Sequence, residues 1–149
     1  MTLTRDFTVA VFVVHQGQVL LHPHKKLNMW LPPGGHIDAP ELPDEAAIRE
    51  VQEEAGITVE LLGDRGIQTD DPEMPLQLVR PEGIQLENIS DDHQHIDLIY
   101  FARVIDPPRI GMPEVLEPMA WFSEGQLSSL DLSGEVLAWA TRALATVAD

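Results

Sequence analysis

Residues Gly35–Ile57 read GHIDAPELPDEAAIREVQEEAGI, and the second half of that stretch works against itself electrostatically. Between Arg49 and Glu54, three glutamates and one arginine fall within six residues of an amphipathic pattern. Pro43 suits a first helical turn and Gly56 a left-handed stop, so a helix is predicted from Pro43 to Ala55. At about 100° per residue, Ala47, Ile48, Val51 and Ala55 share one side, which is expected to face the core. Arg49, Glu50, Glu53 and Glu54 fill the opposite arc, because side chains three or four residues apart stand about 5–6 Å from one another.

At that spacing Glu50 and Glu54 repel by roughly 0.2–0.5 kcal/mol, and acids late in a helix also oppose its macrodipole. A solvated acidic face, with Arg49 and Glu53 as an ordinary ion pair, is the plain alternative, but it leaves the repulsion uncompensated. A hard divalent cation would compensate it, since Mg2+ prefers carboxylate and water oxygens and needs neither sulfur nor imidazole. The glycine-rich approach at Gly34 and Gly35 could bring backbone carbonyls to the same ion.

On these residues the chain resembles the Nudix hydrolase family. Gly35, five residues, Glu41, seven residues and then REVQEEAGI match the family signature G-x5-E-x7-R-E-U-x-E-E-x-G-U, where U is aliphatic. The resemblance implies an α/β fold, a Nudix-type α/β/α sandwich with a mixed β-sheet. It also implies a Mg2+-dependent hydrolase, with Mn2+ a possible substitute, acting by attack of water on phosphorus. Its substrate would be the pyrophosphate linkage of a nucleoside diphosphate derivative or a nucleoside triphosphate. Glu50, Glu53 and Glu54 match the family's metal-binding glutamates, Gly35 the glycine whose carbonyl joins the metal shell, and Arg49 the arginine that orients the glutamates. Glu41 matches a glutamate with a mainly structural part. The general base varies across the family, and here Glu53, Glu114 and Glu117 are the candidates. One departure is the pair Pro40 and Pro43 around Glu41, which should stiffen that loop.

Outside the box, Phe7–Val14 and the run from Val19 read as a hairpin turning near Gly17. Pro32, Pro33, Gly34 and Gly35 are expected to forbid regular structure. ITVELL, from Ile57, reads as a strand, and LQLVR and GIQLE as two short ones broken by Pro81. HIDLIYFARVI, from His95, is the clearest strand of the second half, and MAWFS, from Met119, is a short one. EGQLSSL is a helical turn, and Gly134 to Val147 forms a helix with apolar Val136, Leu137, Ala140, Leu144 and Val147. No linker or repeat divides the chain, so residues 1–149 are expected to be one Nudix domain.

Nine Lys and Arg against 25 Asp and Glu give a formal net charge of -16, which repels long nucleic acid and anionic membranes. A small nucleotide is not excluded, because bound divalent cations reverse the local field. The absence of cysteine removes disulfides and thiolate chemistry and suits a reducing cytoplasm. It also disfavours an isoprenoid diphosphate isomerase of the same fold, which the resemblance gives a catalytic cysteine. The opening MTLTRDFTVAVFVV lacks the basic start of a signal peptide, and no run of about 18 apolar residues spans a membrane. A homodimer is possible, and RNA cap removal is disfavoured by charge. The rival from another class is a catalytically silent nucleotide sensor, against which the intact box argues.

Further residues are candidates for substrate contact. Trp30 could stack on a base, against the plainer reading of core packing, and Lys26 could meet phosphate, against that of a solubilising turn. HQHID places His93, His95 and Asp97 on one strand face, where they could border the cleft or hold a metal, Zn2+ suiting imidazole better than Mg2+ does. His22, His24 and His36 carry less signal.

Overall fold

The structure is a computed structural model describing residues 2–148. β1 (Thr4–His15) begins polar and is buried without a break from Thr8 to His15, as a strand covered on both faces must be. It turns at Gln16 and Gly17, both at positive φ (45° and 73°), the geometry of a tight hairpin, into β2 (Gln18–His24). β3 (Met29–Leu31) and β4 (Gly34–His36) lead to α1 (Pro43–Ala55). β5 (Val59–Leu62), β6 (Gly83–Ser90), β7 (His93–Val104) and β8 (Ala120–Ser123) follow, then α2 (Glu124–Leu127) and α3 (Gly134–Thr146).

β1 and β7 run parallel through the middle of the mixed sheet, in register from Thr4 opposite His93 to Val13 opposite Ala102. β2 and β4 pair antiparallel with different parts of β1, β5 and β6 with β7, and β3 and β8 with β2. Alternation along β1 then builds two cores. Val9, Val11 and Val13, with Tyr100 and Ala102, pack on Ala46, Ala47, Val51 and Ala55 of α1. Ala10, Phe12 and Val14, with Ile99 and Phe101, pack on Val136, Ala140 and Ala143 of α3. Full burial of each valine, isoleucine or phenylalanine among them contributes about 1.5–3 kcal/mol, and the result is the expected α/β/α sandwich.

Helix α1 starts and stops where its sequence says. The Glu45 carboxylate accepts the Leu42 N–H at 3.0 Å, and Gly56 ends the helix at φ 74°, a value that favours glycine. Its buried side includes Ala46, which the wheel omits.

Three expectations need correction. The Pro-Gly segment does carry strands: β3 pairs Leu31 with His22, and β4 pairs Gly34 with Ala10 and His36 with Thr8. Pro32 and Pro33 fall between them, and the Pro33 carbonyl accepts the Val11 N–H at 2.9 Å, so neither proline has to donate into a ladder. LQLVR forms no strand; only Val79 of it is buried, and the Arg80 N–H goes to the Asp64 carbonyl. In α3, Leu137 is 41% exposed, because the packed stripe runs through Val136, Ala140 and Ala143 instead.

Candidate active site

The charged side of α1 does not simply face water: part of it lies against β4. A Cβ placed on Gly35 would come within 2.5 Å of Glu50 Oε1, so a glycine there lets the strand backbone lie against the carboxylate. The Glu50 side chain is only 14% exposed. One turn later, the Glu54 carboxyl lies beside Glu50 and the Gly34 backbone. Burial, followed by the neighbouring Glu50 carboxylate, pushes the Glu54 carboxyl up to about 8. Its Oε2 is buried without a hydrogen-bond partner, with His22 Nε2 standing 3.9 Å away. His22 is itself lowered by burial, which favours its neutral form.

Arg49 organises this acid cluster. Its Nε and Nη2 donate to Glu41 Oε2 and Oε1 at 2.7 and 3.0 Å. Nη1 donates to Glu50 at 3.0 Å and Glu53 at 3.2 Å, and Nη2 also reaches the His36 carbonyl at 3.0 Å. The guanidinium holds the Glu41 carboxyl below its usual range and is itself pushed up, first through Glu41. Glu53 lies at the outer end, 60% exposed.

Two crowded carboxylates, an unpartnered buried oxygen and a glycine backbone pressed against them form a hard oxygen-donor set, which fits a divalent cation of the Mg2+ kind.

The cleft beside this cluster has a volume of about 410 Å³ and runs over the polar end of the sheet face that α3 leaves open. Gly34, Gly35 and Glu54 line one side, His95, Asp97 and Glu87 another, and Glu135 and Val136 at the start of α3 a third. Asp97 is 7% exposed and accepts the Thr8 hydroxyl at 2.8 Å. Burial, with Glu87 and Glu135 adding their charge, pushes it up to about 6. His95 is lowered by burial and by His36 and His93. A larger, more apolar hollow of about 1070 Å³ lies along Phe7, Ile37, Pro40 and Leu98 and touches none of Glu50, Glu53 and Glu54.

The structure thus brings together Gly35, Arg49, Glu50, Glu53 and Glu54, with His95 and Asp97 on the adjoining cleft. Trp30 is half-buried, its ring edge-on to Phe122 at 4.8 Å, and Lys26 is exposed in the β2–β3 turn. Glu114 borders a separate hollow with Ile57 and Asp106, and Glu117 is exposed. Among the described residues, no hydrogen bond or ion pair joins either to the α1 glutamates. Sequence reasoning underrated His22 and His36, which reach the site only through the pairing of β2 and β4 with their neighbours.

A family model described as NUDIX domain matches residues 4–141. The crystal structure of a NUDIX family hydrolase from Clostridium perfringens matches with a TM-score of 0.76 at 38% identity, covering 96% of this chain and 98% of that one. A putative 8-oxo-dGTP diphosphatase of Bacillus subtilis (strain 168) is 36% identical over 64 residues, 41% of this chain and 43% of that protein. The m7GpppN-mRNA hydrolase NUDT17 of Xenopus laevis is 39% identical over 61 residues, 37% of this chain and 21% of that protein. The chain therefore spans less than half the length of these two curated relatives.

Proposed function

The chain belongs to the Nudix family, and from that premise we propose that residues 1–149 act as one catalytic domain, a Mg2+-dependent pyrophosphohydrolase of a small nucleotide. The observation that carries this reading is the Glu50–Glu54 pair against Gly34 and Gly35, with one Glu54 oxygen buried and unpartnered beside an open cleft. Glu50 and Glu54, with the Gly35 carbonyl, hold the cation, and Glu53 completes the set or accepts the proton of the attacking water. Bound there, Mg2+ neutralises charge on the phosphate oxygens and makes a water more acidic. Arg49 keeps Glu50 and Glu53 aimed while its fork is anchored on Glu41. His95 and Asp97 border the substrate, and Asp97, raised toward neutrality, can donate or accept a hydrogen bond there.

The substrate is a nucleoside triphosphate or a nucleoside diphosphate derivative. The likeness to the Bacillus subtilis protein supports including oxidised triphosphates among the candidates. With a net charge of -16, the chain needs its cation to receive such an anion. Among the described residues, no helix is long and apolar enough to cross a membrane. The cysteine-free composition supports placing the activity in the cytoplasm.

The test is a panel of nucleoside triphosphates, oxidised triphosphates, nucleoside diphosphate sugars and dinucleoside polyphosphates, with Mg2+ or Mn2+ and product identification. Release of a nucleoside monophosphate from one class supports the reading. Micromolar binding with no turnover across the panel makes the chain a nucleotide sensor instead.

A further inference from the structure

A second group of donors lies away from the α1 glutamates, on the open end of the sheet. Asp6 stands directly opposite His95 across the parallel β1–β7 pair, and His93 is one alternation away on the same face of β7. β4 lies on the other side of β1 and brings in His36, opposite Thr8. One ligand atom from each of Asp6, His36 and His95 lies within 4.8 Å of the other two. Asp6 Oδ2 is 3.1 Å from His36 Nε2 and 3.2 Å from His93 Nε2. The His95 ring stands edge-on to both other imidazoles, with centroids 5.0 and 5.1 Å apart.

These spacings suit a small borderline cation. Ligands about 2.0–2.1 Å from a tetrahedral zinc lie roughly 3.3 Å from one another, close to the two Asp6–imidazole separations. Asp6 and His36 are 46% and 56% exposed, so their side chains can close the remaining gap to His95 without disturbing the core.

A second observation concerns His93. Its Nδ1 is 2.7 Å from Thr4 Oγ1, and that hydroxyl donates to the Asp92 carbonyl at 3.3 Å. The short contact with the Thr4 hydroxyl holds the His93 ring with its Nε2 turned to the Asp6 carboxylate. A proton on Nε2, or a metal cation in its place, would bridge Nε2 and the Asp6 oxygen 3.2 Å away. A hydroxyl fixing the far nitrogen of an imidazole is also the kind of outer partner that orients histidine ligands.

We propose that Asp6, His36 and His95, with His93 beside them, form a binding site for a Zn2+-class transition metal, distinct from the carboxylate site on α1. Imidazole with one carboxylate favours Zn2+, Co2+ or Ni2+ over Mg2+, whereas Glu50 and Glu54 offer only oxygen, so the two sites select different ions. His36 and His95 also line the 410 Å³ cleft, so a metal held here places positive charge at the margin opposite Glu54. The assignment does not depend on the hydrolase reading, because it concerns binding alone.

The experiment is calorimetric titration of the chelator-treated protein with ZnCl2 in a buffer holding millimolar Mg2+, repeated with His36→Ala, His95→Ala and Glu54→Gln. We expect one Zn2+ equivalent at micromolar affinity or tighter, weakened at least about tenfold by each histidine variant and unchanged in Glu54→Gln. Thermal melts of the metal-free variants establish that each is folded. Should His95→Ala fail to fold, the exposed positions supply the decision through His36→Ala and Asp6→Asn. A Co2+ ligand-field spectrum that disappears in His36→Ala gives an independent readout. Absence of Zn2+ binding in the presence of Mg2+, or affinity unaltered in both His36→Ala and Asp6→Asn, overturns the proposal.

Discussion

Arg49 grips Glu41 with two parallel hydrogen bonds, 2.7 Å from Nε and 3.0 Å from Nη2, and turns its remaining edge to Glu50 and Glu53. The fork fixes the plane of the guanidinium, and that plane decides where both glutamates point. Lysine keeps the charge but has no plane. Arg49→Lys should therefore lower kcat about tenfold or more, equivalent to about 1.4 kcal/mol on the barrier, while circular dichroism shows an intact fold. An unchanged rate would show that the fork does not position the glutamates.

Glu54→Gln separates the needs of the fold from those of the reaction. It removes a carboxyl that burial and Glu50 hold well above its ordinary range, so the metal-free variant should melt a few degrees higher than the parent at pH 8. The same change deletes a ligand oxygen and should reduce turnover at least about tenfold. Melting curves and initial rates on one preparation read both effects.

At Gly35 the constraint is one of space. Gly35→Ala puts a Cβ within 2.5 Å of Glu50 Oε1, and the carboxylate has to move. Affinity for Mg2+ or Mn2+, read by calorimetry, should fall about tenfold or more with little change in melting temperature, because Glu50 rather than the core gives way.

The pH dependence of stability follows from two raised carboxyls. Glu54 goes from 4.5 to about 8 and Asp97 from 3.8 to about 6 on folding. A raised acid contributes stability that is complete below its unfolded value and lost as pH climbs through its folded one. Glu41 is shifted the other way by Arg49, so its contribution is lost as pH falls below its ordinary value of 4.5. Chelator-treated protein should thus be most stable near pH 5 and decline toward pH 8, at about 2–4 °C per kcal/mol. Millimolar Mg2+ should raise the melting temperature more at pH 8 than at pH 5, since the ion takes the ionised carboxylates. An equal rise at both would count against Glu54 as a ligand.

The parts of the chain legible in the sequence are those whose signal is local. Pro43, Gly56 and the spacing of Ala47, Val51 and Ala55 delimit α1 within one window, and Gln16–Gly17 marks the hairpin in two residues. β3 and β4 are invisible in this way, because Pro32, Pro33 and Gly34 oppose extended pairing until β1 and β2 supply the partners. His36 is the clearest case: its place beside Asp6 and His95 depends on a register between β4 and β1 that no local pattern encodes. The same holds for Leu137, whose neighbour Val136 takes the buried direction because of how α3 sits on Phe12 and Phe101.

β1 presents Thr4, Asp6 and Thr8, then Ala10, Phe12 and Val14, on a single face. The first three residues are polar, and the last three are apolar and pack toward α3, with no joint between them. Inheritance can therefore revise the leading half, altering which ions and ligands are received, while the trailing half keeps the strand in place. Tolerance to amino-acid replacement should rise sharply in a saturation library as one reads β1 backward from Ala10, giving new specificities a short, protected stretch of chain in which to arise.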